Sequence, residues 1–119
     1  MSAGPVDAAP PLLSLRTYVE GDATIVQCTG KLTAGLTSIL RDEVKRLIPQ
    51  SKKIVLDLTL LTQMDSMGLG TIVGLYVSAK SAGSKLILVN LSQRVRELFS
   101  ITNVWSILEV YGENIIRMP

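Results

Sequence analysis

The heptapeptide Met64-Asp65-Ser66-Met67-Gly68-Leu69-Gly70 joins two apolar runs that differ in kind. Before it, Lys53-Ile54-Val55-Leu56-Asp57-Leu58 is short, nearly continuous and partly β-branched, the pattern of a strand buried in a sheet. After it, Leu69, Ile72, Val73, Tyr76 and Ala79 recur at helical spacing until Gly83 supplies a stop. A strand, a loop over Thr59 to Asp65 and a helix over about 66–82 follow. Lys85 to Asn90 then repeats the buried-strand pattern, so the heptapeptide opens the helix of a strand-helix-strand unit with a right-handed parallel crossover.

Working outward, Leu15 to Thr29 is rich in Val, Ile, Thr and Leu and is divided by Gly21-Asp22, which predicts two antiparallel strands over about 14–20 and 23–29. Gly30 breaks the second, and Thr33 is placed to cap a helix. In that helix Leu36, Leu40, Val44, Leu47 and Ile48 share one face, opposite Ser38, Arg41, Asp42, Lys45 and Arg46, and Pro49 ends it. On the other side, Ser92 caps a short helix with Val95, Leu98 and Phe99 on one face. Asn103 is placed to end it in the left-handed conformation, and Ile107 to Tyr111 reads as a last strand. The predicted order is ββαβαβαβ, an α/β domain built on a mixed sheet.

Composition narrows the chemistry. The 119 residues suit one domain, and 47% hydrophobic against 18% charged residues is ample for a core. Twelve Lys and Arg against ten Asp and Glu leave a net charge of only +2, too little and too scattered for a nucleic-acid surface. There is no histidine and only one cysteine, Cys28. A Ser-His-Asp or Cys-His triad, a His or Cys zinc site and an intrachain disulfide are therefore excluded within the chain. The first 13 residues carry three prolines and no basic start, so they read as a flexible tail rather than a targeting signal. No apolar run reaches the roughly 18 residues of a membrane span, and the expected compartment is the cytoplasm.

Within the heptapeptide, Asp65 and Ser66 are both good N-caps, and the glycines permit close backbone approach. The free N–H groups of the helix start favour a phosphate. A nucleophile elbow, G-x-S-x-G, is only half matched, because Met64 replaces the first glycine and there is no histidine base. A dinucleotide fingerprint fails at its third glycine, where Val73 stands and Gly74 comes one place late. From local physics alone, a plain capped helix and a regulatory serine remain equally open. Asp57 reads as a structural carboxylate bonded to the loop after it, since no acidic pair is available to hold a metal beside it. Cys28 reads as core packing.

The heptapeptide resembles the phosphorylation-site motif of the STAS domain family, whose single-domain members are bacterial anti-sigma factor antagonists. The resemblance runs from about residue 14 through Gly30-Lys31-Leu32, Ile54 to Leu58, the strand before Asn90 and the Val95/Leu98/Phe99 helix. It implies a STAS domain over 14–119, with a mixed sheet and helices packed on one side. The phosphorylated serine falls on Ser66, with Asp65 as its acidic neighbour. Three positions depart from the family pattern: Met67 replaces a frequent Ser or Thr, Thr33 replaces a frequent acidic residue, and only Gly112 to Pro119 remain for a C-terminal helix.

The implied function is a binding module, not an enzyme. The unmodified chain would bind an anti-sigma factor serine kinase of the histidine-kinase-like ATPase fold, which uses ATP and magnesium and releases the chain on phosphorylating Ser66. No cofactor of the chain's own is implied, and a monomer or weak homodimer is expected. A subunit of a stressosome-type scaffold or of a lipid transporter is the alternative, and a small serine hydrolase or nucleotide-binding enzyme the rival from another class. The helix after Ser66 presents Thr71, Gly74, Ser78 and Ser81 opposite its core face. That face is small and nearly uncharged, the expected docking surface together with Asp65, Ser66, Met67 and Gly68, with Lys80, Arg94 and Arg96 at its rim.

Overall fold

A computed structural model describes residues 11–102. Seven main elements follow in the order ββαβαβα: β1 (Leu13–Glu20), β2 (Ala23–Leu32), α1 (Thr37–Leu47), β3 (Lys53–Met64), α2 (Ser66–Ser81), β4 (Lys85–Val89) and α3 (Gln93–Thr102). The strand expected at Ile107 to Tyr111, the helix stop at Asn103 and the C-terminal segment lie outside the described residues.

The sheet order is β1-β2-β3-β4. β1 and β2 form the expected antiparallel hairpin, while β2/β3 and β3/β4 are parallel and are bridged by α1 and α2. Alternation selects the helix-facing residues: Val26 and Cys28 of β2, Ile54, Leu56 and Leu58 of β3, and Leu86 and Leu88 of β4. They form one core with Leu40, Val44 and Leu47 of α1, Leu69, Ile72, Leu75, Tyr76 and Ala79 of α2, and Val95 and Phe99 of α3. All three helices therefore cover the same face of the sheet, as the STAS pattern implies. Leu75 joins the core although the helical projection did not single it out, and Val73 is only half-buried.

Four local expectations are corrected. Leu13 is buried and pairs with Gly30, so the first strand begins inside the stretch read as tail. Gly30 does not end β2: it adopts φ +110°, and the chain passes through two register shifts against β3 before pairing resumes to Leu32. The same pairing carries β3 through to Met64, where a loop from Thr59 was expected. Thr33 caps nothing with its side chain. Its carbonyl accepts from the Leu36 amide at 2.9 Å, and α1 starts only after Gly35, at φ +88°, has turned the chain. Ser92 does cap α3, accepting from the Val95 amide at 3.2 Å.

Candidate functional site

The extension of β3 sets the site. Met64 pairs with Leu32, and the next residue, Asp65, is held to the end of β2 by its amide, which donates to the Leu32 carbonyl at 3.4 Å. Asp65 is the N-cap of α2. Its Oδ1 accepts from the Gly68 amide at 2.9 Å and its Oδ2 from the Ala34 amide at 2.9 Å. One carboxylate thus ties the start of α2 to the turn before α1. The backbone donors, Ala34 and then Gly68, hold the Asp65 carboxyl below the usual carboxylate range, so it carries its charge throughout the neutral pH range.

Ser66, the first residue of α2, is exposed, and Met67 beside it is 58% exposed. Gly68 is not part of this surface. A side chain there would run into the backbone carbonyl of Leu32, so its role is to let α2 seat against β2. Gly70 and Gly74 are different, since a Cβ at either meets nothing within 4 Å. Gly68→Ala should therefore destabilise, because overpacking against fixed backbone costs about 1–3 kcal/mol and exceeds the ~1 kcal/mol helix gain. Gly70→Ala should be neutral or stabilising. Urea unfolding of the two variants checks this, and equal midpoints would contradict the assignment.

Beyond Ser66, α2 and α1 enclose an open groove of 370 Å³, lined from α2 by Ser66, Met67, Gly70, Thr71, Gly74, Leu75 and Ser78 and from α1 by Arg41 and Lys45. Thr71, Gly74 and Ser78 thus share one groove with Ser66, and Ser81 lies outside it. The rim cations expected from sequence, Lys80, Arg94 and Arg96, do not line the groove. Among the described residues its two cations are Arg41 and Lys45 of α1, which the helical spacing places opposite the core face and which were not expected at the site. They sit four residues apart, and that spacing was the available signal.

The remaining singled-out residues are structural. Burial of Asp57 is outweighed by hydrogen bonds from the Thr59 hydroxyl and amide, from Asn90 and from Gln27, which leave its carboxyl lowered. Burial, aided by the charge of Asp57, pushes the Cys28 thiol up to about 12, as an inert core thiol requires. Among the described residues no cluster of three or more His, Cys, Asp or Glu side chains is placed to hold a metal. No described helix is long and apolar enough to cross a membrane.

A model of the STAS domain matches residues 14–113. The chain belongs to the STAS domain family. This STAS domain is 33% identical over 89 residues to the anti-sigma-B factor antagonist of Bacillus subtilis, a match spanning 75% of this chain and 82% of that one. Its fold is shared with an anti-sigma factor antagonist from Mycobacterium paratuberculosis, at a TM-score of 0.73 and 15% identity over 83% of this chain and 85% of that one. The fold is also shared with the Bacillus cell fate determinant SpoIIAA, solved in its phosphorylated form. That match has a TM-score of 0.63 and 20% identity, covering 88% of each chain.

Proposed function

We propose that this STAS domain is an anti-sigma factor antagonist controlled by phosphorylation of Ser66. In its unmodified form it binds an anti-sigma factor that is also a serine kinase of the histidine-kinase-like ATPase fold, and the bound sigma factor is freed. The kinase uses ATP and magnesium to phosphorylate Ser66, and the modified chain is released. The chain acts in the cytoplasm, as a monomer or weak homodimer, and its contribution is a surface rather than a catalytic group. The contact surface comprises Asp65, Ser66, Met67, Thr71, Gly74 and Ser78, with Gly68 supporting it from beneath.

The observation that carries this reading is the placement of Ser66. It stands exposed on the first turn of α2, beside a carboxylate pinned on two backbone amides and at the mouth of the groove between the helices. The residue is exposed and the carboxylate beside it is already hydrogen-bonded to the fold, which suits a protein kinase site that must not distort the fold. Ser66→Ala should block modification completely and leave binding of the unmodified chain nearly intact. Intact-mass spectrometry after incubation with the purified anti-sigma factor, ATP and magnesium decides it: one added phosphate on the unaltered chain and none on the variant. A phosphate on the Ala variant would place the site elsewhere.

A further inference from the structure

Charge is segregated across α1. Asp42, Glu43 and Arg46 line the flank turned toward β1, where Glu43 accepts from the Thr17 hydroxyl at 2.6 Å and pairs with Arg46 at 2.8 Å. Arg41 and Lys45 line the other flank, facing α2 across the groove. Neither forms an ion pair among the described residues. The Arg41 guanidinium reaches only the Thr37 hydroxyl, at 3.4 Å. The facing wall, from Ser66 to Ser78, carries no charge, and among the described residues no acidic side chain lines the groove. Two cations four residues apart therefore look onto an uncharged wall across a space open to solvent.

Resting on the partner-switch reading above, we propose that this groove receives a short acidic segment of the anti-sigma factor, its carboxylates paired with Arg41 and Lys45. Charge complementarity selects the occupant: an acidic segment satisfies both cations, whereas a basic one meets like charge. Size agrees, since an open groove of 370 Å³ admits a few side chains of a docked segment. The α2 wall supplies only small side chains at Gly70, Thr71, Gly74 and Ser78, so an extended backbone approaches closely. Because Ser66 lines the same groove, a phosphate on it competes for the same two cations.

The test is the double variant Arg41→Gln/Lys45→Gln, whose positions are exposed. Its affinity for the anti-sigma factor should fall about tenfold or more at low salt, and the salt dependence seen for the unaltered chain should flatten. A second arm needs no partner: a hexaglutamate peptide titrated into the isotope-labelled full chain should shift the Gly70, Thr71 and Gly74 amides saturably. A hexaglutamine peptide should not. The shifts should vanish in the double variant and in the Ser66-phosphorylated chain. Unchanged affinity and salt dependence in the double variant, or peptide shifts that survive it, overturns the groove proposal and leaves the partner-switch reading standing. Conversely, hexaglutamate shifts in a chain that does not bind the anti-sigma factor remove the partner-switch reading and overturn the anti-sigma factor as the occupant, leaving only a groove that takes acidic segments.

Discussion

Gly74→Arg is expected to abolish binding to the anti-sigma factor while the chain stays folded. The fold side of this expectation follows from space and propensity. A Cβ at Gly74 meets nothing within 4 Å, and Arg is a better helix former than Gly by about 0.8 kcal/mol, so α2 is not weakened. The binding side follows from the groove, which Gly74 lines together with Ser66 and Thr71. A long side chain there occupies the space an incoming segment needs and must bury or displace its charge. Added attraction for acidic groups works in the other direction, but an exposed pair contributes only about 0–1 kcal/mol. Exclusion from a close-packed interface costs several kcal/mol once a charge is buried without a partner. Titration calorimetry on a variant with an unchanged unfolding midpoint checks this, and unaltered affinity would move the docking face off α2.

The larger effect belongs to phosphorylation itself. A phosphate on Ser66 brings a charge of about −1.5 to −2 to the first turn of α2, where the helix dipole returns roughly 0.3–1 kcal/mol at an exposed site. Asp65 opposes that gain, because its pinned carboxylate stays ionised beside the phosphate. Arg41 and Lys45 partly offset the repulsion from across the groove. These contributions nearly cancel, so folding stability changes by less than about 1 kcal/mol, and the unfolding temperature by no more than about 4–8 °C. In the complex nothing cancels. The phosphate is pressed against a partner surface and draws on the cations the partner uses, so affinity falls about a hundredfold or more, equivalent to roughly 2.7 kcal/mol. Ser66→Asp should reproduce only part of this, with one charge and a shorter reach.

Much of the fold was legible because its signals are local. Apolar runs bounded by Gly21, Gly83 and Ser92 gave the hairpin, the two parallel strands and the later helices, and Asp65 was readable as a cap from its type and place. The errors lie where pairing across the sheet overrides local pattern. Gly30 and the exposed stretch Thr59–Leu60 look like breaks in one dimension but are a bulge and a continued strand once β2 and β3 lie side by side. The same holds at the site. Helical spacing sets Gly74 apart on the face away from the core and puts Gly68 four residues before Ile72, but that a Cβ at Gly68 would meet the Leu32 backbone depends on how α2 sits against β2. Arg41 and Lys45 were visible as charges on a helix, but which flank of α1 faces α2 is set by how both helices sit on the sheet. The Ser66 motif was readable, whereas the groove it opens into required the packing of α1 against α2.

On the proposed reading, Ser66 switches an interface and not a fold. Thermal unfolding and affinity for the anti-sigma factor, measured on one fully phosphorylated sample beside its unmodified counterpart, test it most directly. The expected result is unfolding temperatures within a few degrees of each other, superimposable backbone circular dichroism, and an affinity lowered about a hundredfold or more. A phosphorylated sample that melts far lower or changes its backbone spectrum as it loses binding would make the switch a conformational one.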